Sequence, residues 1–361
     1  MTSPFLRSLY RAFSPPHYLT MPSLGIDLSS SGIKGVSVFS RAHGLELAQF
    51  ADVRFENTAF ADGDVVDRAA IVAALREISH TLGSRFATVA LPESKSYLFE
   101  ARAEGTTKEE LRIAIEQHID EYVPLPPEEV VFDIVPLGEG VGGSQIVGVG
   151  YARRIVDEIA GLASEAGLVL AALESESFAT ARALLPFGDQ TTSLLIDIGK
   201  TTTKLTIVAS GVPRFATTVG IGGHSLTLAV QKHFGVTETE ARRVKLSHGI
   251  VPGEGNEDYL AAMLSTASAI RDEVARRLEY WQAQAVISGG REPVTQAFLI
   301  GGNASVRGLA EYLEGSLRIP VTTGNVFANF APPDAWLPPL DYTQSLIYST
   351  AIGLTLRDYA A

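Results

Sequence analysis

Residues 194–209, Leu-Leu-Ile-Asp-Ile-Gly-Lys-Thr-Thr-Thr-Lys-Leu-Thr-Ile-Val-Ala, decide the fold. Two runs of strand-forming residues flank a turn of Gly199, Lys200 and three threonines, and this pattern predicts a β-hairpin. Backbone N–H groups and hydroxyls in such a turn can surround an anion. Asp197 ends the entering strand, where a carboxylate can hold the Mg²⁺ that accompanies a nucleotide phosphate. The stretch alone is equally compatible with an ordinary buried hairpin.

The same pattern stands a second time near the N-terminus. Residues 26–38, Ile-Asp-Leu-Ser-Ser-Ser-Gly-Ile-Lys-Gly-Val-Ser-Val, align without a gap on residues 196–208 at an offset of 197 − 27 = 170. The aligned pairs are Asp27 with Asp197, Ser31 with Thr201, and Lys34 with Lys204. Two copies of one strand–Asp–turn–strand unit predict two similar half-molecules that face each other, with a nucleotide held between them.

Composition sets further bounds. The chain has 361 residues, of which 46% are hydrophobic and 19% charged, so two ordinary globular domains are expected. The net charge of −12 and the lack of a basic stretch argue against nucleic-acid binding. The chain has no cysteine, which excludes disulfides and thiolate metal sites and suits a reducing cytoplasm. No apolar run approaches the roughly 20 residues of a membrane span, so we expect no integral membrane segment.

Residues 5–13, Phe-Leu-Arg-Ser-Leu-Tyr-Arg-Ala-Phe, place apolar side chains at helical spacing. One interpretation is a short helix that lies on a membrane surface. The other is a frayed tail before Pro15 and Pro16.

Turn formers divide the first half of the chain into a regular series of elements. Three consecutive strands, a helix that ends at Gly83 and a strand that ends before Pro92 are predicted first. Residues 94–170 then predict a separate small α/β unit in the order strand, helix, strand, strand, helix, strand. Its central strands are joined by the glycine-rich segment 138–143, which we expect to be flexible. A helix at 177–185 is predicted to cross to the second half, and a final helix is predicted at 344–356.

Two glycine pairs in the second half mark further places where backbone can approach a ligand. Gly222 and Gly223 precede a predicted helix, whose N-terminal N–H groups can bind phosphate. Gly301 and Gly302 follow a buried strand, where a flat ligand can lie against backbone without side chains in the way. The C-terminal helix contains the small residues Ala351 and Gly353, which would let it cross another helix at close range.

These features together resemble the actin/Hsp70/sugar-kinase ATPase superfamily. The resemblance implies an α/β fold of the actin/Hsp70-like two-domain type, with ATP and Mg²⁺ in the cleft. Asp27 and Asp197 would mark the two phosphate loops and hold the metal. Too few residues separate Val53 from Val66 for the extra domain of actin and MreB. The insert follows Leu91 instead, which resembles the arrangement of FtsA and PilM.

Several motifs of the chain resemble those of PilM, an FtsA-type actin-like family of type IV pilus assembly. They are the acidic helix and Tyr-Val-Pro-Leu-Pro turn at 109–127, Leu-Glu-Ser-Glu at 173–176, and the segments 221–227, 276–280 and 309–313. Their order and spacing carry the resemblance over residues 22–357. One departure is Arg242 within Ala241–Lys245, where relatives often have a glutamate near the ribose.

The resemblance to this family implies a cytoplasmic scaffold held at the inner face of the cytoplasmic membrane by its partners. It would bind the N-terminal peptide of a PilN-like inner-membrane protein in a groove between the first subdomain and the insert. Other pilus platform proteins are expected partners, and self-association is left open. The implied divisions are a tail at 1–21, a first subdomain at 22–93 and 171–189, the insert at 94–170, a second domain at 190–342 and a returning helix at 343–361.

The resemblance and the motifs together give a set of expected site residues. Glu176, at the head of the crossing helix, would orient the attacking water, although the same residue is typical of an ordinary first helical turn. We therefore expect slow or absent ATP turnover. The residues expected to hold the nucleotide are Ser29, Ser30, Ser31, Lys34, Gly199, Lys200, Thr201, Thr202, Gly222, Gly223, Lys245, Gly301, Gly302 and Asn303.

Two other classes stay open at this point. A sugar or acid kinase shares the fold, and would need a carboxylate base in the cleft and rapid phosphoryl transfer. An FtsA-like protein that forms filaments at the membrane is the alternative, and ATP-dependent sedimentation would distinguish it.

Overall fold

The structure is a computed structural model that describes residues 23–140, 142–253, 256–288 and 291–359. For residues 285–288 it describes the backbone alone. The amphipathic stretch 5–13 lies outside these residues. Within them, no helix is both long enough and apolar enough to cross a membrane.

The strands and helices follow the predicted order closely. In chain order the strands are β1 (Leu24–Ser29), β2 (Gly32–Arg41), β3 (Gly44–Arg54), β4 (Phe60–Ala61), β5 (Asp64–Val65), β6 (Phe86–Leu91), β7 (Tyr97–Ala103), β8 (Val130–Gly140), β9 (Gly143–Ala152), β10 (Val169–Ser175), β11 (Thr192–Ile198), β12 (Thr203–Ala209), β13 (Val212–Val219), β14 (Gln296–Ile300) and β15 (Val321–Thr323). The α-helices are α1 (Arg68–Leu82), α2 (Lys108–Glu116), α3 (Arg153–Glu165), α4 (Glu176–Leu184), α5 (Gly223–Phe234), α6 (Glu238–His248), α7 (Glu257–Ser288), α8 (Leu309–Leu317), α9 (Tyr342–Ser345) and α10 (Ser349–Thr355).

Two five-stranded sheets have the same topology, as the internal repeat predicts. The first has the order β10-β6-β1-β2-β3 and the second the order β13-β12-β11-β14-β15. Each contains an antiparallel hairpin whose aspartate stands opposite a lysine, Asp27 opposite Lys34 and Asp197 opposite Lys204. Parallel strands join each hairpin on its other side, β6 beside β1 and β14 beside β11. Both predicted hairpins are therefore confirmed, with identical register.

The helices α4 and α10 cross between the two sheets at very close range. A Cβ on Gly353 would lie 1.8 Å from the Ala179 carbonyl oxygen, so only glycine fits at the crossing. The hydroxyls of Thr180 and Thr350, which are 170 residues apart, lie 3.3 Å from each other. This is the repeat offset again, so the two helices are equivalent elements of the two halves. The predicted close crossing is confirmed.

The C-terminal helix is broken where one continuous helix over 344–356 is predicted. A 3₁₀ turn at Leu346–Tyr348 separates α9 from α10. At the break, the Leu346 carbonyl accepts a hydrogen bond from Gly301 N–H at 3.1 Å. The carbonyl is thus engaged with the second domain, and sequence periodicity does not reveal such a long-range bond.

The insert is shorter than the predicted unit 94–170. Its sheet has the order β7-β9-β8, and α2 packs on one face through Leu111 and Ile115. Strand β10 pairs instead with β6 of the first sheet, and Ile159 and Leu162 of α3 lie in the first-domain core. The prediction is wrong at its C-terminal end, because alternation of strands and helices does not specify which sheet a strand joins. The two strands also extend further than predicted, since β8 continues to Gly140 and β9 begins at Gly143.

The insert contacts the second domain as well as the first. Glu100 on β7 accepts hydrogen bonds from Arg214 of β13 and from Arg291, the latter at 2.9 Å. The Arg291 guanidinium also lies 4.6 Å above the ring of the buried Trp281. Two arginines of the second domain therefore hold one carboxylate of the insert.

The helix crossing gives a test of the fold. We expect Gly353→Ala to lower the free energy of unfolding by about 2 kcal/mol or more, because the added methyl overlaps the α4 backbone. Gly315→Ala is the matched control, since nothing lies within 4 Å of its Cβ position in α8. It should raise stability by up to about 1 kcal/mol through helix propensity. Urea unfolding followed by circular dichroism measures the free energy of unfolding of both variants. Equal changes in the two variants would contradict the close helix crossing.

Candidate functional site

The two hairpin turns face each other across a cavity of about 530 Å³ between the half-molecules. The Ser30 and Thr201 hydroxyl oxygens are 3.3 Å apart, so the turns touch at the mouth of this cleft. Its size is typical of small-molecule pockets, which span about 300–1,000 Å³. The predicted site residues that line it are Asp27, Ser29, Ser30, Ser31, Lys34, Glu176, Asp197, Gly199, Lys200, Thr201, Thr202, Lys245, Gly301, Gly302 and Asn303.

The first turn is ordered by its own lysine. Lys34 is buried, and its Nζ donates to Ser29 Oγ at 3.1 Å and to Ser31 Oγ at 3.4 Å. Ser29 Oγ in turn donates to the Gly32 carbonyl at 2.9 Å. The hydroxyls and the ammonium are thus gathered at one point of the cleft, which suits an anion.

The second turn is held from behind rather than by its own lysine. The Asn303 side-chain amide donates to the Ile198 carbonyl at 3.1 Å and to the Gly199 carbonyl at 2.8 Å. Gly223 N–H donates to the same Gly199 carbonyl at 2.9 Å. A Cβ on Gly223 would lie 2.0 Å from Asn303, so only glycine permits this packing. The structure therefore places Gly222 and Gly223 behind the turn, where Gly223 N–H supports the turn instead of facing the cavity.

Lys245 completes this support. Its Nζ donates to Gly223 O at 3.1 Å, Thr227 Oγ1 at 3.1 Å and Asn303 Oδ1 at 2.7 Å. An ammonium group has three donors, and all three are used within the protein. Burial, reinforced by the nearby Arg242, lowers the pKa of Lys245 to about 8. Lys245 lines the cleft, but its bonds are those of a structural brace.

Carboxylates from both halves lie around Lys204 at the floor of the cleft. Glu176, at the start of α4, is buried and forms an ion pair with Lys204. Burial raises the pKa of Glu176 to about 7, although the Lys204 charge opposes the shift. Burial opposes the charged form of Lys204, but Glu176, Asp197 and Asp27 outweigh it and raise the Lys204 pKa. The floor thus carries several acidic groups around one ammonium.

Gly301 makes room for one of these acids. Its φ is +84°, and a Cβ there would lie 2.2 Å from Asp197 Oδ1. Burial raises the Asp197 pKa, and the neighbouring Lys204 counteracts that rise. Gly302 is less constrained, with the Ile347 side chain 3.6 Å from its Cβ position. The glycine pair therefore serves the aspartate as well as keeping this wall of the cleft open.

Several residues that line the cleft were missing from the sequence-based set. Lys204 could have been found, because the repeat aligns it with Lys34. Arg242 and Arg243 reach the cavity from α6, and helical periodicity alone does not say which face meets it. Glu93 accepts bonds from Ser175 Oγ at 2.8 Å and from a backbone N–H of α4 at 3.0 Å, and no sequence pattern marks it.

The described residues contain no group of three or more His, Cys, Asp or Glu side chains arranged to hold a metal ion. A divalent cation at Asp27 and Asp197 would therefore need further oxygen ligands from phosphate or water.

The paired sheets, the crossing helices and the cleft between the halves define an actin-like two-domain protein with an FtsA-type insert. Residues 25–359 match the family model for the type IV pilus assembly protein PilM, and the chain belongs to this family.

Solved structures agree with this fold. The PilM–PilN type IV pilus biogenesis complex matches with a TM-score of 0.75 and 22% identity over 93% of this chain and 98% of that chain. MreB5 of Spiroplasma citri bound to ADP matches with a TM-score of 0.56 and 15% identity, over 93% and 96% of the two chains. The ethanolamine utilization protein EutJ from Carboxydothermus hydrogenoformans matches with a TM-score of 0.51 and 18% identity, over 92% of this chain and 89% of that chain. At these identities the likeness establishes the fold alone.

The buried Lys245 predicts a specific pH dependence. Its pKa lies near 8 in the folded chain and near the ordinary 10.5 when unfolded. Between these values the unfolded chain binds more protons, so stability should rise with pH there. Relative to Lys245→Met, the wild type should gain roughly 2 kcal/mol of unfolding free energy from pH 7 to pH 10.

Urea unfolding at each pH measures this difference. Lys232 is an exposed residue of α5 and provides the control. Lys232→Met removes the same charge but leaves the hydrogen bonds of Lys245 intact. Its stability curve should run parallel to that of the wild type. A constant offset between Lys245→Met and the wild type over this range would show that the Lys245 pKa is not lowered.

Proposed function

We propose that this chain is a nucleotide-binding scaffold of the type IV pilus assembly platform. It takes Mg²⁺ and ATP in the cleft, and its insert binds the N-terminal cytoplasmic peptide of a PilN-like inner-membrane protein. That partner would keep the chain at the inner face of the cytoplasmic membrane. The observation that carries the proposal is the meeting of two matching Asp–turn units, with Ser30 and Thr201 in contact, across one cavity.

The residues of the cleft suit a magnesium nucleotide. The serines and threonines of the two turns offer hydroxyls to phosphate, and Lys200, Arg242 and Arg243 add positive charge to the lining. Asp27 and Asp197 present the carboxylate oxygens that Mg²⁺ prefers. A bound nucleotide would supply the remaining oxygen ligands from its phosphates. Both turns thus contribute to one ligand from opposite sides.

Turnover of this nucleotide is proposed to be slow or absent. Hydrolysis of ATP needs a group that orients the attacking water. Glu176 lines the cleft, but its carboxylate is engaged by Lys204. A carboxylate held in this ion pair is not free to orient the attacking water, so binding rather than hydrolysis is the proposed role of the cleft.

A substitution of Asp197, a proposed ligand of Mg²⁺, tests nucleotide binding. We expect Asp197→Ala to weaken ATP binding in Mg²⁺ at least about tenfold, because a charged oxygen ligand is lost. Asp334→Ala removes an exposed carboxylate from a distant loop and is the control. Isothermal titration calorimetry measures both variants. Unchanged ATP affinity in Asp197→Ala would refute the assignment.

The outer edge of β8 is poorly suited to bind an added peptide strand. Ile134 N–H donates to its neighbour Asp133 Oδ1 at 2.8 Å, and Pro136 has no N–H to offer. The Val130 carbonyl is taken by Arg153 at 3.3 Å. Side-chain bonds and prolines of this kind protect sheet edges against pairing.

The opposite edge of the insert sheet, on β7, is more suitable. Ile134 of β8 stands opposite Gly148 of β9, and its N–H faces away from β9. In an antiparallel sheet the backbone groups of Gly148 then face β7, where Gly148 stands opposite Phe99. By alternation, the backbone groups of Glu100 and Arg102 face outward from the sheet. An extended peptide could add a strand at this edge.

A cavity of about 460 Å³ includes β7 in its lining, together with Leu137 of β8 and with Gln145 and Ile146 of β9. Insert residues Arg102 and Tyr122 line one side of it, and Arg214 and Arg291 line the other. This position differs from the groove that the family resemblance implies, because it borders the second domain. We propose the β7 edge as the peptide site.

One substitution separates backbone pairing from side-chain contact. Glu100→Pro removes an outward N–H, and we expect it to weaken binding of a synthetic PilN-like N-terminal peptide at least about tenfold. Glu100→Ala, which loses the same carboxylate but keeps the N–H, is the matched control and should bind considerably better than Glu100→Pro. Fluorescence polarisation with a labelled peptide measures both affinities, and thermal melting checks that both variants fold. Equal affinities for the two folded variants would exclude pairing at this edge.

A further inference from the structure

The two lysines that the repeat aligns have different partners. Lys34 binds the hydroxyls of its own turn, Ser29 and Ser31. Lys204 instead forms an ion pair with Glu176, which belongs to the crossing helix α4. The Lys204 side chain keeps about a quarter of its surface exposed and lines the cleft. The second lysine therefore points to the carboxylates rather than to its turn.

The carboxylates near Lys204 come from three different elements. Asp27 lies near the C-terminal end of β1 in the first domain, Asp197 lies near the C-terminal end of β11 in the second, and Glu176 begins α4. All three line the same cleft, and Asp27 and Glu176 are almost fully buried. Lys34, opposite Asp27, is a second buried ammonium, and Glu93, bonded to the start of α4, is a fourth buried carboxylate. The carboxylates of the cleft thus outnumber these two ammonium groups in a poorly solvated place. Buried like charges of this kind raise the free energy unless a cation compensates them.

We infer that Lys204 is an internal counter-ion for Asp27 and Asp197, and that a divalent cation entering between these aspartates competes with its ammonium group. This inference rests on the proposed function, because the competing cation is the one that would accompany the nucleotide. Glu176 gives the displaced ammonium a retained partner, since their ion pair does not depend on the aspartates. A cation would thus replace the lysine charge between the two halves, while Lys204 stays bound to the crossing helix.

The opposite role for Lys204, a positive ligand for phosphate, makes a different prediction. A phosphate ligand would strengthen nucleotide binding and would have little effect on a metal ion alone. A counter-ion weakens binding of the metal ion through charge repulsion. The metal without nucleotide therefore distinguishes the two roles.

The test uses Mn²⁺ as the probe, and electron paramagnetic resonance measures the free ion in the absence of nucleotide. Lys204→Gln removes the charge and keeps an amide that can donate to Glu176. We expect it to bind Mn²⁺ at least about tenfold more tightly than the wild type, because one repulsive charge next to the metal is lost. Lys204→Arg keeps the charge and should bind like the wild type.

Lys232→Met, on the exposed surface of α5, controls for the change in net charge. Its Mn²⁺ affinity should match that of the wild type. If Lys204→Gln does not fold, the double variant Lys204→Gln/Glu176→Gln is compared with Glu176→Gln alone, because both lack the Glu176 charge and differ only in the Lys204 charge. The double variant should then bind Mn²⁺ more tightly than Glu176→Gln. In the folded variant, Mn²⁺ affinity equal to or weaker than that of its reference, the wild type or Glu176→Gln, would overturn the inference.

The result can be separated from the proposed function. Tighter Mn²⁺ binding in Lys204→Gln supports the counter-ion role even if ATP does not bind to the wild type. ATP binding that depends on Asp197, together with unchanged Mn²⁺ affinity in Lys204→Gln, keeps the nucleotide proposal and removes the counter-ion.

Discussion

Two aspartates at the ends of the central strands impose the main electrostatic constraint on this molecule. Asp27 and Asp197 lie in the cleft between the halves, where water solvates them poorly. Lys204 supplies charge next to them, and Gly301 leaves the space that the Asp197 carboxylate needs. Lys204 and Gly301 thus keep these acidic groups in the cleft without filling the cavity that the groups line.

The two halves are joined where the helices cross and again through the insert. Gly353 lets the α10 backbone contact α4 directly, which permits little sliding between them. Glu100 joins the insert to the second domain through Arg214 and Arg291. The insert is covalently part of the first domain, so this ion pair links the two halves at a second place. A change of angle between the halves would therefore act on the β7 edge of the insert.

Site residues were predictable from the sequence where their interactions are local, and were not where their partners are distant in the chain. Asp27, Asp197 and the hydroxyls of both turns were found because each belongs to a short local pattern that occurs twice. Lys245 lines the cleft, but its role as a brace depends on Asn303, which is 58 residues away in the chain. Glu93 escaped notice for the same reason, since its bonding partners come from a distant helix. Local patterns reveal residue chemistry, while partners far apart in the chain remain hidden.

The sequence by itself determined the two hairpins, their shared register and the order of most helices and strands. These features depend on the alternation of apolar residues, on turn formers and on helix caps, all of which act over a few residues. Only the tertiary structure decided that β10 joins the first sheet, that α5 supports the second turn, and that Lys204 binds Glu176. Each of these depends on which distant elements come together, because burial and charge compensation act between neighbours in space rather than in sequence.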